Sequence, residues 1–187
     1  FSTPADAITN IYHCFNSVIP IVVGTTGWLD KLEEVKKKCS EKNAGLFHAS
    51  NFSLGVNIFF HLNKHLAKIM NVYPDYDVSM EEIHHIHKLD SPSGTGLTLA
   101  NQILEAVERK NKWIEGEPKS TSELSIQAKR EGEVPGTHIV RYQSSIDDIE
   151  IKHVAHSRKG FALGAVLAAE FMQNKKGVFG MQDLLKF

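Results

Sequence analysis

Residues 19–23 form a short β-branched apolar run that stops at Gly24. A run of this length with no polar alternation suits a strand covered on both faces, as in a parallel sheet. Before it, Ala7, Ile8, Ile11, Tyr12 and Phe15 recur at three- and four-residue intervals, which predicts a helix over residues 4–17. Asp30 is placed to cap a second helix reaching about Lys42, with Leu32, Val35 and Cys39 turned inward. Residues 45–49 make a second buried-strand candidate. Helix, strand, helix, strand is the rhythm of a doubly wound α/β sheet.

The pattern changes at Ser53. Leu54, Val56, Ile58, Phe59, Leu62, Leu66, Ile69 and Met70 mark a long amphipathic helix. Residues 76–88 read as a strand running into a loop, and Leu99, Ala100, Ile103, Leu104 and Val107 mark another helix over 97–109. Three strand candidates follow, at 123–130, 137–143 and 147–154, with His138, Val140 and Tyr142 alternating against Ile139 and Arg141. An alanine-rich helix over 161–173 is expected to close the chain. The fold class read from this is α/β: an incomplete Rossmann-like lobe with a parallel sheet, plus an α+β lobe with a mixed sheet.

Bulk properties exclude some functions. The formal net charge is −1, so no global basic field recruits nucleic acid. No apolar stretch approaches the roughly 18 to 20 residues needed to span a bilayer, and the start lacks the charged and apolar regions of a signal peptide. Cys14 and Cys39 lack CxxC spacing and suggest a reducing compartment. No membrane association and a cytoplasmic location are therefore expected. The chain begins at Phe1 in what reads as a strand end and turn, Phe1-Ser2-Thr3-Pro4, and is expected to be a fragment.

The densest polar constellation is Glu81-Glu82-Ile83-His84-His85-Ile86-His87-Lys88-Leu89-Asp90. In an extended strand His84, Ile86 and Lys88 share one face, which directs His84 and Lys88 toward one pocket. Histidine titrates near neutrality and is the natural proton donor there, while lysine holds an anion. Next comes Ser91-Pro92-Ser93-Gly94-Thr95-Gly96, opening the following helix. Taken alone this turn is a cap; beside Lys88, its backbone N–H groups and hydroxyls form a cradle for a carboxylate. Three histidines so close on a strand splay apart, so no metal is expected.

Two further loops follow buried strands: Gly24-Thr25-Thr26-Gly27 and Ala49-Ser50-Asn51-Phe52-Ser53. In open α/β sheets ligands bind outside the carboxyl ends of the strands, although a structural turn and an N-cap at Ser53 account for the two loops equally well. No G-x-G-x-x-G occurs. The residues by themselves reach an α/β protein with an anion site and an adjacent proton donor.

The stretch His84-His85-Ile86-His87-Lys88-Leu89-Asp90-Ser91-Pro92-Ser93-Gly94-Thr95 resembles the signature of dihydrodipicolinate reductases, roughly H-H-x-x-K-x-D-x-P-S-G-T. Phe1 to Pro4, Val22 to Trp28, Asn51 to Asn57, Arg130 to His138 and residues 156–185 are similar to further family blocks, in the family's order. Ile86 stands where many relatives carry a polar or basic residue, and Gly96 replaces a common alanine.

The resemblance implies that His84 is the general acid and Lys88 the second catalytic residue. It implies that His85, Ser93, Gly94 and Thr95 contact the substrate carboxylates. Gly24, Thr25 and Thr26, with Ala49, Ser50, Asn51 and Phe52, match cofactor-contacting stretches. It further implies NADH or NADPH as cofactor, a cyclic imine dicarboxylate as substrate, and a homotetramer. On this reading residues 1–52 with 157–187 are the rest of the nucleotide-binding domain, and 53–156 bind substrate and tetramerise. The alternatives are another two-lobed amino-acid-pathway dehydrogenase, or a non-catalytic oligomerisation remnant.

Overall fold

The first apolar run becomes β1 (Ile21–Val23), which starts two residues later than the run does. Val18 takes a positive φ of 57° and Pro20 has no N–H to give to a ladder. The computed structural model describes residues 2–187, so the expected strand end at Phe1 lies outside the described residues. The chain folds into two compact units, Phe1–Asn57 with Lys159–Phe187, and Ile58–Arg158.

In the first unit β2 (Gly45–His48) lies parallel to β1, and β8 (Gly177–Phe179) lies parallel to β2, in the order β1-β2-β8. Alternate residues of β2 serve opposite layers. Leu46 joins Val23 and side chains of α1 (Pro4–Asn16) and α2 (Leu32–Glu41), among them Ile11, Phe15, Val35 and Cys39. Phe47 joins Ala168 of α5 (Lys159–Phe171), Met172, and Met181 of α6 (Met181–Leu185). Burying such side chains stabilises by about 1.5–3 kcal/mol each. This is a parallel sheet between two helical layers, as the alternating pattern predicts.

Three local expectations need correction. Asp30 does not cap α2: residues Leu29–Lys31 form a 3₁₀ turn, and α2 starts behind Lys31 with no side-chain cap bond. The helix over 161–173 begins earlier, at Lys159, and does not close the chain, because β8 and α6 follow it. Both are too short for periodicity to announce.

In the second unit five strands run in the order β4-β5-β3-β6-β7. They are β3 (Asp77–His84), β4 (Lys112–Glu115), β5 (Glu123–Arg130), β6 (Gly136–Gln143) and β7 (Asp148–Ala155). The β4–β5 and β5–β3 pairs are parallel, while β3–β6 and β6–β7 are antiparallel, so the sheet is mixed. Helices α3 (Leu54–Met70) and α4 (Gly94–Ala106) supply Phe59, Met70, Leu99 and Ile103 to one core with Val78, Met80, Leu124, Ile126, Val140 and Tyr142. Asn63 Nδ2 donates to Leu99 O at 3.1 Å and to Gln102 Oε1 at 2.9 Å, which ties α3 to α4.

Candidate active site

The alternation of β3 turns Val78, Met80, Glu82 and His84 to the same, buried side. The first two are core; the last two place an acid and an imidazole on an apolar face. Register then adds partners from the neighbouring strands. Glu82 is paired with His138 of β6, and His84 with Arg130 of β5. Glu82 is 1% exposed, His84 6% and His138 4%.

A buried carboxylate is tolerated only when its lone pairs are satisfied. Ser93 does this from the start of α4. Its N–H reaches Glu82 Oε1 and Oε2 at 2.9 and 3.1 Å, and its hydroxyl donates to Oε2 at 2.6 Å. The same oxygen accepts the Gly96 N–H at 3.0 Å, so Ser93 is also the N-cap of α4. Because that hydroxyl gives its proton to an anion, it meets His138 Nε2 at 3.1 Å as an acceptor. A Cβ at position 96 would meet the end of the Glu82 carboxylate, which would have to shift to admit it.

Burial alone would push the Glu82 carboxyl up. The contact with His84 and the bonds from Ser93 outweigh it and hold the group well below the usual carboxylate range. Burial, then the neighbouring His84, push His138 down to about 4. The His84 and His138 rings meet edge to face with centroids 5.0 Å apart. His84 Nδ1 lies 3.6 Å from Glu82 Oε1, His138 Nε2 3.7 Å from Oε2, and Arg130 Nη1 3.8 Å from Oε1. Glu82, His84 and His138 bring ligand-type atoms within 4.8 Å of one another. Both carboxylate oxygens, however, already face Ser93 donors, an arrangement that opposes a cation.

The strand ends at His84, so residues 84–88 do not alternate as an extended segment, and the expected shared face of His84, Ile86 and Lys88 is not formed that way. Instead the loop is tied to the β5–β6 connection, with Glu131 N donating to His84 O at 2.8 Å and Ile86 N to Gly132 O at 3.1 Å. Lys88 Nζ holds the Asp90 carboxylate at 2.7 and 2.9 Å. This bond, more than the small opposing effect of burial, lowers the Asp90 pKa. His85 Nε2 lies 3.5 Å from Arg158 Nη2, and His87 Nε2 lies 3.1 Å from Glu133.

Ser93 turns its hydroxyl and N–H inward. Exposed Gly94 and half-buried Thr95 stand in the first turn of α4, where backbone N–H groups have no intrahelical acceptor. Sequence reasoning missed Glu82, Arg130 and His138 as members of this cluster. An acid at the period-2 position between Met80 and His84 was the available signal for Glu82. Nothing local announces the other two.

In the first unit Gly24, Thr25 and Thr26 follow β1, and Ala49, Ser50, Asn51 and Phe52 follow β2. Parallel pairing brings both loops to the carboxyl edge of the sheet, with Ala49 N donating to Val23 O at 3.2 Å. Thr25 O accepts Trp28 Nε1 at 2.7 Å, and Gly27 completes the turn at φ 81°, close over Pro4. Asn51 Oδ1 accepts Ser53 N at 2.9 Å, and Asn57 Nδ2 donates to the carbonyls of Asn51 and Ser53. Thr26 and Ser50 are exposed. Open hydroxyls and backbone at this edge fit a nucleotide in kind.

A unit with a parallel sheet and a unit with a mixed sheet that carries a buried imidazole–carboxylate cluster define a two-unit α/β protein with a polar site on its mixed sheet. Residues 1–52 match the family described as dihydrodipicolinate reductase, N-terminus, and residues 55–185 match dihydrodipicolinate reductase, C-terminus. The chain belongs to the dihydrodipicolinate reductase family. It is 54% identical to the 4-hydroxy-tetrahydrodipicolinate reductase of Christiangramia forsetii, over 99% of this chain and 77% of that one. With the same-named protein of Clostridium tetani the identity is 37%, over 99% and 73%. Among solved structures, a dipicolinate-bound dihydrodipicolinate reductase from Paenisporosarcina shares the fold, with a TM-score of 0.78 and 21% identity over 98% of this chain and 71% of that one. No helix among the described residues is long and apolar enough to cross a membrane.

Proposed function

We propose that the protein reduces 4-hydroxy-tetrahydrodipicolinate to tetrahydrodipicolinate, in the biosynthesis of diaminopimelate and lysine. The observation that carries this reading is the continuity of one stretch. Residues 84–95 supply an imidazole, an ammonium and an open helix N-terminus, in a chain 54% identical to a reductase of that name. NADH or NADPH supplies the hydride when bound, and the 4-hydroxyl leaves as water. His84 donates the accompanying proton. Lys88, His85 and the Gly94-Thr95 start of α4 hold the two carboxylates, with Ser93 anchoring that turn from within through its bonds to Glu82, the helix start adding about 0.3–1 kcal/mol for a negative charge. Gly24, Thr25 and Thr26, with Ala49, Ser50, Asn51 and Phe52, form the nucleotide contacts.

The same reading makes the protein a cytoplasmic homotetramer. Its two free thiols suit a reducing compartment. The sheet face bearing Glu81, Ile83, Gln127 and Arg141 offers the mixed polar and apolar surface of an assembly contact.

Kinetics of the full-length protein test the assignment. His84→Ala is expected to lower kcat by on the order of 10²–10⁴, with KM changed only a few-fold. Wild-type turnover in that variant would remove His84 from the mechanism.

A further inference from the structure

His84 and Lys88 leave the buried Glu82 without a role. This carboxylate precedes the assigned acid by two residues on the same strand face. Nδ1 of His84 is buried and has no hydrogen-bond partner, and Glu82 Oε1 faces it at 3.6 Å. That is just beyond bonding length, and catalytic contacts of this kind commonly shorten in the reacting complex. The opposite ring nitrogen, Nε2, lies beside Gly136, where even a Cβ would come within 3.3 Å of it. His138 does not compete for the same oxygen, because its Nε2–H is directed to Ser93 Oγ and its nearer carboxylate atom is Oε2.

We propose that Glu82 is a positioning residue for the proton donor: its Oε1 takes the Nδ1–H of His84, so that the reacting proton leaves from Nε2. The proposal rests on His84 being the acid. When His84 gives up one proton, the neutral ring must keep the other on one nitrogen. A carboxylate at Nδ1 fixes the remaining proton there, as second partners do for catalytic and metal-binding histidines. Without it the buried Nδ1–H has no acceptor and the proton moves to Nε2, the wrong atom for the next turnover. Ser93 holds the carboxylate in place, and Gly96 leaves the room in which it sits.

Ring-¹⁵N NMR of this chain tests the orientation directly, with the His84 signals assigned by their loss in His84→Ala. The neutral ring of His84 is expected as the Nδ1–H tautomer in the wild type, and shifted toward Nε2–H in Glu82→Gln. Glu82→Asp, which keeps the charge but draws the carboxylate back by one methylene, is expected to shift it the same way and covers the case in which Glu82→Gln fails to fold. In the full-length enzyme Glu82→Gln should lower kcat by on the order of 10²–10⁴ with KM within a few-fold. Glu82→Asp should lower it by about tenfold to a hundredfold. A folded variant with the wild-type tautomer and wild-type kcat overturns the proposal. If His84→Ala keeps turnover, the acid assignment fails by itself, while the NMR arm still decides whether Glu82 orients the ring.

Discussion

Ser93 is bonded to Glu82 through two separate donors, its backbone N–H at 2.9 Å and its hydroxyl at 2.6 Å. One residue thereby caps α4 and neutralises the burial of a carboxylate on β3. Ser93→Ala removes the cap and one charged hydrogen bond together, and should destabilise the protein by about 3 kcal/mol. A urea titration followed by circular dichroism measures it. A change below about 1 kcal/mol would mean that Glu82 has another route to satisfaction.

His138 makes stability depend on pH. Its folded pKa of about 4 lies below the unfolded value of about 6.5. The unfolded chain therefore binds the extra proton first as pH falls, and stability drops from about pH 7 down to about 4. Glu82, also held below its unfolded value, contributes stability above about pH 4.3 that is lost only on further acidification. Between pH 7 and 5 the His138 share is about 2 kcal/mol. His48 and His153 are pushed down by burial too and act in the same direction. The comparison is therefore between wild type and His138→Gln, whose unfolding free energy should fall less over that interval; parallel curves would clear His138.

Asp90 holds the ammonium that the proposed function assigns to a substrate carboxylate. Asp90→Asn should leave Lys88 free of a competing anion and tighten pyridine-2,6-dicarboxylate binding a few-fold, whereas Lys88→Ala should weaken it. Calorimetry at fixed ionic strength reads both. Unchanged affinity in Asp90→Asn would show that the pair opens without cost.

Gly164 of α5 packs directly on the Phe52 carbonyl, and a Cβ there would collide with it. Gly164→Ala should destabilise the protein by about 1–3 kcal/mol through overpacking. An unchanged melting temperature would mean that α5 can move away from Phe52 freely.

What the sequence by itself determined is local and periodic. Ile11, Phe15, Val35 and Cys39 lie on helical faces, and the run through Val23 and the Leu46-Phe47 pair read as buried strands, because amphipathicity repeats over distances shorter than an element. The His84-to-Thr95 stretch was legible because residues chained together need no fold to be neighbours. Asp30 misled because a 3₁₀ turn delays the helix, and β8 escaped because three residues carry no period. Only tertiary structure decided that His138 faces Glu82 and Arg130 faces His84, since those meetings depend on strand order and register. It also decided that Ser93 turns inward onto Glu82. Register is a property of pairing between distant segments, so a residue 56 positions from Glu82 becomes its neighbour only once β3 and β6 have closed the sheet.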